Sequence, residues 1–271
     1  TGELTRDSFF DCLQRRHHYG TTGTRMHLDV RARFKQPATL FERDPNLFPD
    51  TSHSEVGEVM MGDIVQTVDD TVTLSVRAVT HAPIERIEVR NATEVVETLR
   101  GYTRDDLGNR IRVLWSGAEY RGRGRDTNWK GKVSFGGATI HRFEKINAWN
   151  HERLFEQQSD DTIIFDAITT GNFGGFDVWL DDNQAGEMSV ATNLCAMTVA
   201  LADVGLDDIV VEAGGLERRI RAFRLPDENS CREIEAEVDI PIAAGRDNPL
   251  WICVTTEDGF QAWSSPIYVF K

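Results

Sequence analysis

Hydrophobic and polar residues alternate most regularly in two stretches of this chain. Val72, Leu74, Val76 and Ala78 alternate with Thr71, Thr73, Ser75 and Arg77, and Ile234, Ala236, Val238, Ile240 and Ile242 alternate with Glu233, Glu235, Glu237 and Asp239. A period of two sustained over eight to ten residues describes a strand with one face buried and one in water. Shorter runs of the same kind fall at residues 84–90, 110–115, 139–146, 162–168, 176–180, 187–191, 196–202, 209–213, 218–225, 250–255 and 267–270. Turn residues separate them, at 105–109, at Gly136-Gly137, at Asp181-Asp182-Asn183 and at Ala213-Gly214-Gly215. Strands at this density with almost no helical period between them predict a mainly β fold, an antiparallel β-sandwich.

The N-terminal part reads differently. Thr5 is placed to cap a short helix reaching Arg16, with Asp7 near its positive end and Arg15 and Arg16 near its negative end. Phe9, Phe10 and Leu13 form an apolar stripe on it that something must cover. Residues 25–34 then alternate as a strand, with Met26, Leu28, Val30 and Ala32 on one face. From 35 to 62 the pattern lapses around Pro37, Pro45, Pro49 and Asp50-Thr51-Ser52-His53-Ser54, which predicts a connecting segment. The expected organisation is therefore helix and strand over 1–34, linker over 35–62 and one β-domain over 63–271. There is no convincing repeat and no low-complexity stretch.

Composition narrows the function classes. The 271 residues are 40% hydrophobic and 27% charged, which is globular rather than disordered, and no apolar run is long enough to span a membrane as a helix. A net charge of −14 argues against nucleic acid or an anionic membrane as partner. Cys12, Cys195, Cys231 and Cys253 are widely spaced, without zinc spacing, and read as free thiols of a reducing compartment, favouring the cytoplasm. No signal peptide is evident. Asn91-Ala92-Thr93 matches a glycosylation sequon but has no secretory context.

Two clusters could carry chemistry. Arg16-His17-His18-Tyr19-Gly20-Thr21-Thr22-Gly23 follows the helix and is the densest polar run; its Gly and Thr residues could present N–H and hydroxyl groups to an anion. The alternative is a capped helix end with exposed histidines. Arg121, Arg123 and Arg125, interleaved with Gly122 and Gly124 and followed by Trp129, reverse the local charge. They could grip phosphates or stack on bases or sugars, or pair with the chain's surplus carboxylates. Asp177, Asp181 and Asp182 with Asn183 lack the order of a calcium loop and read as a strand-end turn. The nucleophile elbow, the phosphate loop and the H-E-x-x-H zinc motif are absent. His27, His53, His81, His141 and His151 are scattered without ligand spacing.

The run Leu4-Thr5-Arg6-Asp7-Ser8-Phe9-Phe10, continued by Leu13-Gln14-Arg15-Arg16-His17-His18-Tyr19-Gly20-Thr21-Thr22-Gly23, resembles part of a large bacterial family of PHP-like (polymerase and histidinol phosphatase type) proteins, domain of unknown function 3604. The far end, from Pro249 through Asp258-Gly259-Phe260-Gln261-Ala262-Trp263-Ser264-Ser265-Pro266-Ile267-Tyr268-Val269, resembles the family's terminal segment. Arg121 to Arg125 with Trp129-Lys130-Gly131, and Gly214 to Arg219, fit as well. PHP domains are distorted barrels that hold divalent metals and hydrolyse phosphoesters with a metal-bound hydroxide.

The resemblance implies that the complete protein is a metal-dependent hydrolase, a phosphoesterase. It places the metal motifs in an upstream barrel, leaving this chain with the barrel's last helix and strand and a C-terminal accessory β-domain. This chain would then carry no cofactor, no metal and no complete catalytic set; Arg16, His17, His18, Tyr19, Thr21 and Thr22 are its candidate catalytic residues, of which those from Tyr19 on sit at a strand start, where the barrel rule favours a structural role. Its expected partners are the upstream barrel and another copy of itself. The alternative is a stand-alone carbohydrate- or ligand-binding module using Trp115, Tyr120, Trp129, Trp149, Trp179 or Trp263.

Overall fold

Every long alternating run forms a strand, and strands also occupy segments where the alternation is obscured. The computed structural model describes residues 3–182 and 185–271. It is mainly β, built from antiparallel sheets. The chain divides into two compact units, Thr1–Gly101 with Ser230–Lys271, and Tyr102–Asn229.

The first unit begins with α1 (Arg6–Gln14) and continues through β1 (Tyr19–Thr21), β2 (His27–Phe41), β3 (His53–Met60), β4 (Ile64–Gln66), β5 (Thr71–Val79), β6 (Ile84–Asn91) and β7 (Glu94–Leu99). The second unit holds β8 (Arg110–Ala118), β9 (Thr127–Gly136), β10 (Ile140–Ile146), β11 (Phe155–Ser159), β12 (Thr162–Thr169), β13 (Phe173–Leu180), β14 (Glu187–Thr192), β15 (Ala196–Ala200), β16 (Ile209–Glu212) and β17 (Leu216–Leu225). The chain then returns to the first unit with β18 (Glu233–Pro241), β19 (Asn248–Thr256), β20 (Gln261–Ser264) and β21 (Ile267–Phe270).

In the first unit the two clearest alternating runs pair with each other. β5 and β18 are antiparallel, with Val76 opposite Ala236, and β2 lies on the other side of β5, with Val30 opposite Val76. β19 pairs with β6, with Ile252 opposite Val89. The short β4 joins β2 antiparallel and β21 in parallel. Leu28, Val30, Leu74, Val76, Val89 and Ile252 all enter one apolar core.

In the second unit two five-stranded sheets run β10-β13-β8-β17-β16 and β11-β12-β9-β14-β15. Ile111, Val113 and Trp115 of β8 share a core with Trp129, Val133 and Phe135 of β9 and Phe165 of β12. Trp115 stacks on Phe165, with ring centroids 4.0 Å apart and planes 4° apart. Leu114, one residue out of phase on β8, packs with Ile146, Phe173, Phe223 and Leu225 in a smaller cluster.

The expected boundaries change in three respects. Helix α1 is shorter than the predicted 5–16: Thr5 caps it with a reciprocal Ser8 capping box, Arg15 is its C-cap, and Arg16 has left the helix at φ +62°. Residues 35–62 are not a linker, because β2 runs on to Phe41 and β3 pairs back onto it. Pro37 is tolerated at an irregularity in that pairing between Arg33 and Ala38, where Asp69 Oδ2 accepts from Lys35 N at 2.7 Å and Gln36 N at 3.2 Å. Finally, 63–271 is not a single β-domain. Its middle, Tyr102–Asn229, forms its own unit, and its ends complete the unit that contains residues 1–101.

Candidate functional site

Arg16 to Thr22 form a crossing from helix to strand whose polar groups are engaged with the fold. The backbone N–H of His17 donates to Cys12 O at 2.9 Å, and Arg16 Nε donates to Gly62 O at 2.9 Å. His17 Nε2 lies 2.7 Å from Asp63 Oδ1, and Asp63 Oδ2 accepts from Met60 N at 2.8 Å. His18 O accepts from Ser265 N, and the Tyr19 hydroxyl donates to Met26 O at 2.7 Å. β1 pairs with β20, placing Tyr19 opposite Ser264, Gly20 opposite Trp263 and Thr21 opposite Ala262. Thr22 Oγ1 accepts from Gln261 N at 2.9 Å. Residues 19–21 and 262–264, far apart in the sequence, therefore meet in one strand pair.

Gly62 is the pivot of this crossing. Its φ is +99°, and a Cβ there would lie 2.4 Å from Arg16 O and 2.5 Å from Arg15 O. Gly62→Ala is expected to cost about 1–3 kcal/mol from the left-handed backbone alone, before the clash is counted. A urea titration would read the loss; an unchanged midpoint would mean that the Arg16 turn gives way freely.

Beside the crossing lies a cleft of about 170 Å³ lined by Arg15, Arg16, Glu42, His53, Ser54 and Asp63, among others. A shallower depression of about 500 Å³ is lined by Asp11, Arg43, Asp44, Leu47 and Phe48, with Arg15 and Arg16 again. Arg15 Nε lies 3.1 Å from Asp11 Oδ1, and its Nη2 is 3.8 Å from Glu42 Oε1. The cleft has no nucleophile activated by a neighbouring base. Among the described residues no three His, Cys, Asp or Glu side chains come together as a metal site requires. Among the described residues there is therefore no set that could hold the divalent metals of a PHP-like centre.

Helix α1 stands apart from this polar packing. None of its residues is buried, and Phe9, Phe10 and Leu13 are 53%, 49% and 42% exposed. Leu4 before it is exposed too, as are Leu47 and Phe48 of the β2–β3 connection.

Residues 1–95 match a family described as a protein of unknown function, DUF3604. The match takes in α1, the Arg16–Gly23 crossing and the strands through β6, which is 95 of the 271 residues. No curated protein and no solved structure matches the chain.

In the second unit the expected basic arm splits in two. Arg121, Arg123 and Arg125 lie on an exposed loop between β8 and β9, and among the described residues none pairs with a carboxylate. Trp129 does not share that surface: it is fully buried in β9, and its Nε1 donates to Thr169 Oγ1 at 2.9 Å. Trp115 is likewise buried, whereas Tyr120 and Trp149 are 65% and 69% exposed. Asp177 is not in the expected strand-end turn. It lies buried in β13 between Arg110 and Arg112, while Asp181 Oδ1 accepts from Thr139 N at 2.6 Å. Asn183 of the same expected turn lies outside the described residues.

Proposed function

We propose that this chain is the C-terminal accessory part of a PHP-like, metal-dependent hydrolase, and that α1 is the surface on which the catalytic barrel rests. Each β-unit is read as a two-layer sandwich. The carrying observation is the exposed apolar face of α1, Phe9, Phe10 and Leu13, on a helix none of whose residues is buried. Apolar side chains gathered on a helix contribute stability only when another surface removes them from water, at about 25 cal/mol per Å². The polar crossing behind the helix holds it in place through Arg16, His17 and Asp63. The match of residues 1–95 to DUF3604 agrees with the family resemblance of this segment and assigns it no activity.

Three experiments test the reading. The purified chain should give no hydrolysis of bis-p-nitrophenyl phosphate with Mn²⁺ or Zn²⁺; turnover abolished by a chelator would overturn it. The intact mass of the native gene product should exceed the 30.6 kDa of this chain. A mass equal to it would leave α1 without a barrel to meet. Phe9→Asp combined with Leu13→Asp should shift the stability of this chain by no more than about 0.5 kcal/mol, as for other exposed positions. A large loss would show that the face is already packed within the chain.

A further inference from the structure

The second unit carries a cleft of about 150 Å³ that none of the residues discussed so far accounts for. We infer that it is a saccharide subsite which holds one pyranose ring between Trp149, the Trp115 indole N–H and the Arg153–Asp166 pair. This site is independent of the accessory reading, because all its residues lie in the second unit.

The chain builds the cleft from the end of β10. Asn147 adopts φ +53° and donates from Nδ2 to Phe173 O at 3.1 Å, which fixes the backbone where it leaves the strand. The next residues carry Trp149 out to 69% exposure. Asn150 Oδ1 accepts from Glu152 N at 3.0 Å and Asn150 O accepts from Arg153 N at 3.3 Å, so the chain turns back. That turn brings Arg153 Nη1 to 2.5 Å from Asp166 Oδ1 on β12, and Lys130 Nζ of β9 lies 4.0 Å from Asp166 Oδ2. The rim thus has hydrogen-bond donors and acceptors next to an exposed indole.

Trp115 lines the same cleft and is 1% exposed. Its ring stacks on Phe165, yet among the described residues no group accepts a hydrogen bond from its Nε1. An indole N–H that borders a cleft is a donor for whatever polar group enters it. Gly174, also in the cleft wall, leaves that nitrogen accessible: a Cβ at 174 would sit 3.0 Å from it. A hydroxyl oxygen entering the cleft can accept from it.

A pyranose satisfies these groups together. Its C–H face covers an indole, its hydroxyl oxygens accept from Trp115 and Arg153, and its hydroxyl hydrogens donate to Asp166. The volume is below that of sites for drug-sized ligands, which suits one ring of a longer saccharide. A phosphate would meet the Asp166 carboxylate on entering.

The probes are cello-, xylo-, laminari-, malto- and mannotriose, with trigalacturonate as the anionic arm, titrated against tryptophan fluorescence and checked by saturation-transfer NMR. At least one should bind saturably. Trp149→Ala should weaken it about tenfold or more, measured below the variant's own thermal midpoint so that lost binding is not lost folding. Asp166→Asn should weaken it as well, and Tyr120→Ala, exposed outside the cleft, should leave it unchanged. No saturable binding across the panel, or binding that survives Trp149→Ala, overturns the assignment.

Discussion

Asp177→Ala is expected to destabilise the second unit by about 3–5 kcal/mol, the cost of leaving buried cations without their anion. Asp177 lies on β13 directly opposite Arg112 of β8. Arg112 Nε and Nη2 reach its two oxygens at 2.7 and 2.8 Å, and Arg110 Nη2 adds a contact of 2.5 Å. All three residues are buried, Arg112 completely. Arg110 also lies over the Trp179 ring, 4.9 Å from its centroid, and so cannot turn out to water without giving up that contact. Burial alone would raise the pKa of Asp177, but Arg112 and Arg110 outweigh it and hold the carboxyl below the usual range.

The sign of the pH dependence follows. With the folded-state pKa below the unfolded value of about 3.9, the contribution is complete above that value and is lost as pH falls through the folded pKa. Urea titrations from pH 7 down to pH 3 should show the wild type losing this increment only in the acid limb. Asp177→Asn, already destabilised at neutral pH, should show a flatter one. A loss under about 1 kcal/mol at pH 7 would show that the arginines find other acceptors, and Arg110→Met with Arg112→Met in the Asp177→Leu background should recover much of the deficit.

The second large effect is expected at Trp129. Trp129→Ala should cost about 3–5 kcal/mol, as for other buried Trp truncations. Trp129 is fully buried in the core between the two sheets of its unit, and its Nε1 donates to Thr169 Oγ1, which in turn donates to Gly117 O at 2.6 Å. The substitution leaves a cavity and removes the donor to Thr169. Trp129→Phe, which keeps most of the volume, should lose less. A midpoint unchanged by Trp129→Ala would return this residue to the surface role that its basic neighbours suggest.

Trp129 also shows which part of the structure was legible in the sequence. In β9, Thr127, Trp129, Val133 and Phe135 point inward while Asn128, Lys130 and Ser134 do not. The alternation is present, but Arg121 to Arg125 and the lysines on the outer face make the stretch read as one basic arm. β5 and β18 were legible because each buries one face against the same core. β3 and β7 were not: only Val59 of β3 is buried and no residue of β7 is, so neither carries the period that identifies a strand. The prolines of 35–62 suggested a linker because the irregularity that accommodates Pro37 depends on Asp69, more than thirty residues away. The division into two units was not legible because both are β-rich and strand runs continue across each boundary with no linker between them. For the candidate site, Arg16 to Thr22 were found as a cluster, but their partners Gly62 and Asp63 were not. The cleft at Trp149 needed Asp166 and Gly174 from distant strands.

The return of the chain to its first unit affects the order in which this protein can assemble on the ribosome. Arg77 and Glu233, partners across β5 and β18, are 156 residues apart, and β6 likewise waits for β19. Until synthesis has passed through the whole second unit, β5 and β6 emerge with open edges that invite pairing with another nascent chain. The second unit, contiguous from Tyr102 to Asn229, has every strand it needs as soon as it is made. Translation therefore presents the segment that starts first as the one that finishes last. The 95 residues that match the DUF3604 family model end before β18 and β19, the strands that complete their unit, have been made.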